Sequence, residues 1–227
     1  MLMELVILFA LHADDKNEAE QLFRKMEMKV ANAKSLEWTF EVKVEDGPAT
    51  GGSMKGSLAL GQGNKSCLEM SLKKTGSEDK IALICNGEKM MSPDDKSRKV
   101  PAPKWLNDLY RAALVRSSLP LSHVNGAKEQ PEELKVDDVL KVSDFKIGKK
   151  EKVGDKEAQV IHYNLSCKVE FPEPLAVTAW IDTKTNLPVK RELVGKAGED
   201  KITITETYSK ITVDEKIDPK KFELPKD

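Results

Sequence analysis

The chain has 227 residues, of which 39% are apolar, so it is long and hydrophobic enough for one domain with a substantial core and is not a disordered chain. Charged residues make up 33%, but basic and acidic residues are interspersed and the net charge is −1, so nothing indicates a surface for nucleic acid or anionic membranes. This combination is typical of a sheet with one packed face and one solvated face.

The first thirteen residues resemble a secretory signal peptide. An apolar run from Leu5 to Leu11 ends at Ala13, although no Lys or Arg precedes it and Glu4 lies where a positive charge is usual. The alternative is a buried N-terminal strand. We expect residues 1–13 to be a leader, residues 14–227 to form a single domain, and the protein to be periplasmic or otherwise exported. The run is too short to span a bilayer, so we expect no transmembrane segment in the mature chain.

An amphipathic helix is predicted over residues 17–32, where apolar residues recur at helical spacing. A strictly alternating run follows and predicts a strand that ends at Asp46-Gly47-Pro48. One face of that strand carries only apolar side chains: Leu36, Trp38, Phe40, Val42 and Val44.

Further short strands with turn residues between them follow, around Leu58, Leu68, Leu83 and Met90. A two-residue Gly76-Ser77 turn predicts three facing apolar pairs, Leu72–Ile81, Met70–Leu83 and Leu68–Cys85. The same register places Cys67 opposite Asn86, so we expect no Cys67–Cys85 disulfide unless the turn is longer. With Cys167, the chain has three cysteines, an odd number that does not indicate a disulfide framework.

Helical patterns then appear at residues 104–117 and 132–140, and about five more strands follow. The predicted order is a helix, about five strands, two helices and about five strands. Successive short strands pair in antiparallel fashion, and a sheet of ten or eleven strands curls. We therefore expect a mainly β (α+β) fold, a curved antiparallel half-barrel with helices covering its concave face.

Catalytic signatures are absent from the sequence. Residues 56–66 loosely resemble a phosphate-binding loop, but Asn64 separates Gly63 from Lys65 and strands flank the segment, so turn glycines are the better interpretation. None of the three histidines belongs to a recognisable catalytic triad, and no cysteine or histidine spacing indicates zinc. We expect no enzyme activity, no catalytic or metal-binding residues and no cofactor.

A cavity between the sheet and the helices is a natural site for an apolar ligand. Methionines and tryptophans on the packed face suit a deformable pocket, although any one of them also fits an ordinary filled core. The candidate ligand-binding residues are Trp38, Phe40, Leu58, Leu60, Met70, Leu83, Met90, Met91, Trp105 and Leu109.

Three segments resemble the LolA/LolB-like superfamily of periplasmic lipoprotein carriers. They are the opening helix leading through Ala33-Lys34-Ser35-Leu36 into a long strand, the stretch Val177–Arg191 (VTAWIDTKTNLPVKR), and the closing Asp-x-x-x-Phe-x-x-Pro pattern from Asp218 to Pro225. The resemblance implies a curved sheet of about eleven strands with helices on its concave side. It also implies a carrier or binding protein for lipid or for the acyl chains of lipoproteins.

The first strand departs from the carriers, because Glu37, Glu41 and Lys43 alternate where a functional basic residue is usual. The alternative implied by the RseB-like branch is an envelope sensor or scaffold that binds another protein and keeps a filled core. On either interpretation we expect a monomer whose partners are lipid, lipidated protein or envelope proteins, and not nucleic acid.

Overall fold

The computed structural model describes residues 18–45, 52–74, 76–92, 95–123, 132–167 and 171–225. The predicted leader, residues 1–13, lies outside them. Helix α1 comprises residues 18–32, α2 is Leu106–Val115 and α3 is Val136–Val139, and short 3₁₀ helices occupy Leu119–His123 and Pro219–Phe222. The eleven strands are β1 (Leu36–Glu45), β2 (Ser53–Gly61), β3 (Lys65–Lys74), β4 (Ser77–Asn86), β5 (Lys89–Ser92), β6 (Asp95–Pro101), β7 (Leu140–Val153), β8 (Lys156–Cys167), β9 (Leu175–Asp182), β10 (Pro188–Ala197) and β11 (Asp200–Val213).

All eleven strands form one sheet in the order β6-β5-β4-β3-β2-β1-β11-β10-β9-β8-β7. It consists of two antiparallel meanders, β1–β6 and β7–β11, that are joined where β1 pairs with β11. Strands β6 and β7 are the two edges, so the sheet is an open, curved half-barrel. The predicted fold class and strand number are confirmed.

The packed face of the sheet is the one that the alternation predicts. In β1 the inward residues Leu36, Trp38, Phe40 and Val42 are buried, whereas Thr39 between them is exposed. The stripe of α1 is likewise buried at Ala19, Phe23, Met26 and Val30. Because strand and helix bury their apolar faces against each other, one core lies between the sheet and the helices.

The predicted β3–β4 register is wrong by two residues. Leu68 lies opposite Leu83 and Met70 opposite Ile81, because Lys74 pairs with Ser77, and Gly76, at φ 83°, lies in the turn just before Ser77. A shift of two leaves every side chain on its own face. Cys67 faces outward and Cys85 inward, and all three cysteines are free, as expected.

Two other predictions differ from the structure. The helix predicted over 132–140 is a single turn, Val136–Val139, because Leu140 already begins β7 and is buried in the core. Edge strand β6 was not predicted, since its sequence DKSRKVP has no apolar alternation. Its pairing with β5 through the backbone requires none, and Lys and Pro are common on edge strands.

In the described part of the chain, no helix combines the length and the hydropathy that a membrane-spanning helix requires.

Candidate binding site between the sheet and its helices

The concave face of the sheet forms the floor of the candidate site. The ten predicted ligand-binding residues are all buried, with 0–7% of their surface exposed. Nine of them belong to the one core cluster between sheet and helices. Met91 is the exception: it follows Met90 directly on β5 and therefore points to the opposite face.

Helices α1 and α2 together form what we call the helical cover (residues 18–32 and Leu106–Val115). Arg111 on α2 donates to the carbonyl groups of Val30 and of Ala33, the latter at 2.9 Å. Nε of Arg116, just after α2, donates to Oε1 of Glu27 on α1 at 2.8 Å. These bonds join the two helices to each other rather than to the sheet, so the cover is one unit.

The ring of Phe23 packs α1 onto the second meander. Its centroid lies 5.0 Å from that of Phe145 on β7 and 5.1 Å from that of Tyr163 on β8, the second pair in an edge-to-face arrangement. The hydroxyl of Tyr163 donates to the carbonyl of Arg116 at 3.2 Å. Burial raises the pKa of Tyr163 to about 12, so this hydroxyl keeps its proton at neutral pH.

The N-terminal end of α2 is hydrogen-bonded to the β2–β3 hairpin. Nδ2 of Asn107 donates to the carbonyl of Gly61 at 3.2 Å and to that of Lys65 at 3.4 Å. The backbone N–H of Asn107 donates in turn to Oδ1 of Asn64 at 3.3 Å. The buried core residues in the middle of the helix, among them Leu109, Ala113 and Leu114, are apolar except for Tyr110, whose phenol is buried with them.

The C-terminal end of α2 meets a buried charged cluster, which we call the Arg191 network (Arg191, Glu206, Tyr208, Ser117 and Ser118). Nη1 of Arg191 lies 2.5 Å from Oε2 of Glu206, and both side chains are fully buried. Nη2 of Arg191 donates to the last carbonyls of α2, those of Leu114 at 2.9 Å and Val115 at 2.8 Å. A cation at this end also complements the helix dipole.

Glu206 completes the attachment of the C-terminal end of α2 to the sheet. Its Oε1 accepts from the hydroxyl of Ser117 at 3.0 Å and from the backbone N–H of Ser118 at 2.9 Å, and its Oε2 accepts from the hydroxyl of Tyr208 at 2.7 Å. Burial opposes charge on Arg191, but its contacts with Tyr208 and Glu206 outweigh that effect and raise its pKa above the ordinary value. Burial raises the pKa of Tyr208 as well. The network therefore holds an ion pair and a neutral phenol at neutral pH.

Sequence reasoning missed the Arg191 network, although a signal was present. Arg191 occupies an inward position of β10 between Val189 and Leu193, and Glu206 occupies an inward position of β11 next to Ile204. A charge on the packed face of an alternating strand requires a buried partner. That the two charges face each other depends on the β10–β11 register, which pairs Arg191 with Glu206.

Three buried polar atoms in the described part of the chain have no hydrogen-bond partner: Nε1 of Trp38, Oδ1 of Asn107 and Nε of Arg191. All three belong to the layer between sheet and cover. Buried polar groups without partners are uncommon in native structures.

A second concavity lies on the other face of the sheet, which we call the outer groove. It encloses about 680 Å³ over β11, β1, β2, β3 and β4, and short hydroxyl side chains such as Thr39, Ser57 and Ser71 line it. Glu41 at its side lies 3.2 Å from Nζ of Lys55, whose hydrogen bond lowers the pKa of Glu41. Apolar surface from Phe40, Met70, Ile81 and Ala82 lies between these polar groups.

Comparison with known proteins finds similar chains among solved structures. No protein-family model matches the sequence, and no curated protein matches it. Among solved structures, it is similar to MucB in the MucA/MucB complex of Pseudomonas aeruginosa, with 8% identity over 92% of this chain and 61% of that one and a TM-score of 0.46. A LolA superfamily protein from Nitrosomonas europaea matches with 9% identity over 91% of this chain and 97% of that one, at a TM-score of 0.31.

A DUF1329 family protein from Desulfovibrio piger matches with 11% identity, over 92% of this chain and 97% of that one, at a TM-score of 0.36. The chain spans about three fifths of the length of the MucB chains, 60% and 61% in two structures. Similarities at this level transfer neither a ligand nor a partner to this chain.

The strand order and the position of the helices define a LolA-like fold, so the resemblance found in the sequence is confirmed at that level. More specifically, the chain is a LolA-like half-barrel whose helical cover is attached to the sheet by polar contacts at both ends of α2.

Proposed function

We propose that this chain is a non-enzymatic binding protein that holds the acyl chains of a lipid, or of a lipidated protein, between the concave face of the sheet and the helical cover. The observation that carries the proposal is the attachment of α2. Its ends are hydrogen-bonded to the sheet through Asn107 and the Arg191 network, whereas the core-facing residues between them are apolar apart from the hydroxyl of Tyr110. A helix attached in this way has few polar contacts to break along its length when it separates from an apolar floor.

In the state seen here the floor and the cover are packed against each other. A side chain that lined an open cavity would have part of its surface exposed, yet Trp38, Leu58 and Leu60 have 0% exposed. In this proposal the packed arrangement is the closed state, and acyl chains enter when the cover moves away from the sheet. The core methionines Met26, Met54, Met70 and Met90 ease this exchange, because a flexible thioether side chain adapts to either neighbour.

The predicted leader at residues 1–13 supports an activity outside the cytoplasm, where in this proposal the carrier passes its ligand to a membrane or to another envelope protein. In this proposal the protein works as a monomer, because the ligand site lies within one chain.

Native mass spectrometry of gently purified protein tests the proposal, together with displacement of a fluorescent phosphatidylcholine. We expect co-purifying lipid and saturable displacement. Leu58→Glu, which puts a charge on the packed face, should abolish binding, whereas Lys43→Glu on exposed sheet surface should not. If Leu58→Glu fails to fold, Leu109→Gln on α2 replaces it. Absence of lipid in both assays would contradict the proposal.

The packing of the core also favours a second candidate, an envelope sensor or scaffold module that keeps its core filled and binds another protein. For such a module, added lipid should leave the unfolding temperature unchanged. An increase in that temperature with lipid concentration would instead indicate ligand binding to the native state.

A further inference from the structure

The indole of Trp38 is a buried hydrogen-bond donor that the described part of the fold leaves unused. Trp38 has none of its surface exposed, and its Nε1 has no partner among the described residues. It lies on the inward face of β1, opposite Leu58 on β2 and Ile211 on β11. An indole N–H can only donate, so, unlike an amide or an imidazole, it cannot be satisfied by exchanging donor and acceptor roles.

The other polar groups of this interior show that the fold normally satisfies such donors. The hydroxyls of Tyr163 and Tyr208 both donate to oxygen acceptors, at 3.2 Å and 2.7 Å. On the outer face, Nε1 of Trp180 donates to Oε2 of Glu151 at 2.7 Å. A buried donor without a partner lowers stability, and among the described residues only Nε of Arg191 is a second buried side-chain donor of this kind.

Resting on the function proposed above, we propose that the indole N–H of Trp38 binds a neutral carbonyl oxygen of the ligand, the ester or amide carbonyl at the root of an acyl chain. The site would thereby select acyl esters and amides over ether lipids and hydrocarbons that lack this acceptor. Trp38 would be a specificity-determining residue of the binding site.

The charges of the interior favour a neutral acceptor over an anion. Arg191 already faces Glu206 at 2.5 Å, and Arg116 lies 2.8 Å from Glu27. Arg111 donates to two backbone carbonyl groups at the end of α1. A carboxylate or phosphate drawn in to Trp38 would enter the interior without a counter-ion, which is costly, whereas a carbonyl oxygen needs only the one donor.

A cycle of two proteins and two lipids tests the inference. Dissociation constants are measured for the wild type and Trp38→Phe with diacyl phosphatidylcholine and with its dialkyl ether analogue of equal chain length. We expect the wild type to prefer the ester lipid by about fivefold to tenfold. Trp38→Phe should lose that preference and bind the ether lipid as the wild type does. Trp180→Phe, which removes a partnered indole on the outer face, is the matched control and should keep the preference.

The outcomes separate the two proposals. Equal affinity of the wild type for both lipids, or an ester preference that survives in Trp38→Phe, overturns the role of Trp38 and leaves the proposed function intact. Binding of neither lipid overturns both. If Trp38→Phe does not fold, benzothienylalanine at position 38 keeps the ring shape and lacks the N–H. In the wild type, the indole proton resonance of Trp38 should move downfield with the ester lipid alone, and a resonance that moves equally with both lipids contradicts the inference.

Discussion

Arg191 and Glu206 lie directly opposite each other on β10 and β11, with Nη1 and Oε2 2.5 Å apart and both side chains fully buried. The pair is the point at which the sheet binds the C-terminal end of α2, because Arg191 also donates to the carbonyls of Leu114 and Val115. A charged pair inside an apolar layer fixes the position of the cover more than it stabilises the fold.

Arg191→Met should destabilise the protein by about 3–5 kcal/mol, because it leaves the carboxylate of Glu206 buried without its counter-ion. Urea unfolding followed by circular dichroism measures the loss. Lys190→Met, at the neighbouring half-buried position beside Trp180, should change stability by about 0.5 kcal/mol or less.

The double variant Arg191→Met/Glu206→Gln should be more stable than Arg191→Met alone, because the remaining amide is neutral and still hydrogen-bonds to Ser118. Losses that simply add in the double variant would show that Arg191 and Glu206 are not coupled.

Gly56→Ala should destabilise the protein by about 1–3 kcal/mol through overpacking. A Cβ atom at this position would lie 2.6 Å from the carbonyl oxygen of Glu69 and 2.9 Å from Cζ of Phe40. Thermal unfolding measures the effect, and Ser57→Ala on the outer face of the same strand is the control. An unchanged unfolding temperature in Gly56→Ala would show that Phe40 and its neighbours have room to move.

Cys67 should react with iodoacetamide before Cys85 and Cys167 in the native protein, because it is half-buried and the other two are buried. Burial raises the pKa of the Cys67 thiol, so its thiolate fraction at pH 7 is below that of a free cysteine. The labelling rate of Cys67 should therefore rise at a higher pH than the labelling rate of glutathione, a free thiol. Peptide mass spectrometry after timed labelling measures both effects. Recovery of a linked Cys67–Cys85 peptide would contradict the assigned register.

Glu37→Gln should reduce the loss of stability in acid. Lys221 on the C-terminal 3₁₀ helix donates a hydrogen bond to Glu37 on β1 and so ties the two elements together. This hydrogen bond lowers the pKa of Glu37. A lowered pKa contributes stability that is complete above the unfolded value of about 4.3 and is lost as the pH falls through the folded value. Because both side chains are partly exposed, their contact contributes about 0–1 kcal/mol to the free energy of unfolding at pH 7. Unfolding at pH 7 and pH 3 should therefore show a smaller difference in Glu37→Gln, and an equal difference would count against the contact.

Period-two patterns determine which side of a strand is buried, and this is why the faces of β1 to β4 could be predicted from the sequence. The register of β3 against β4 is harder to predict from the sequence, because Gly76 suits either position of a two-residue turn. A shift by two residues also leaves every side chain on the same face of the sheet. Edge strand β6 could not be found by pattern, since backbone pairing with β5 defines it.

The candidate site was predictable as an apolar surface but not as an assembly. Trp38 and Leu109 could be assigned to the packed layer from periodicity alone, and both lie there. The partnership of Arg191 with Glu206 joins residues from two strands to α2, which precedes both of them in the chain. Only the three-dimensional register shows that these charges meet beneath a helix.

Photo-crosslinking tests the central claim most directly, using a phosphatidylcholine with a diazirine in one acyl chain and peptide mapping of the labelled protein. We expect saturable labelling of inward-facing residues of β1 to β4 and of α2, including Trp38, Leu58 and Leu109, and its loss when unlabelled lipid is added. Labelling confined to outer-groove residues such as Lys55 and Glu69, or labelling that does not saturate, would contradict an acyl site between the sheet and the helical cover.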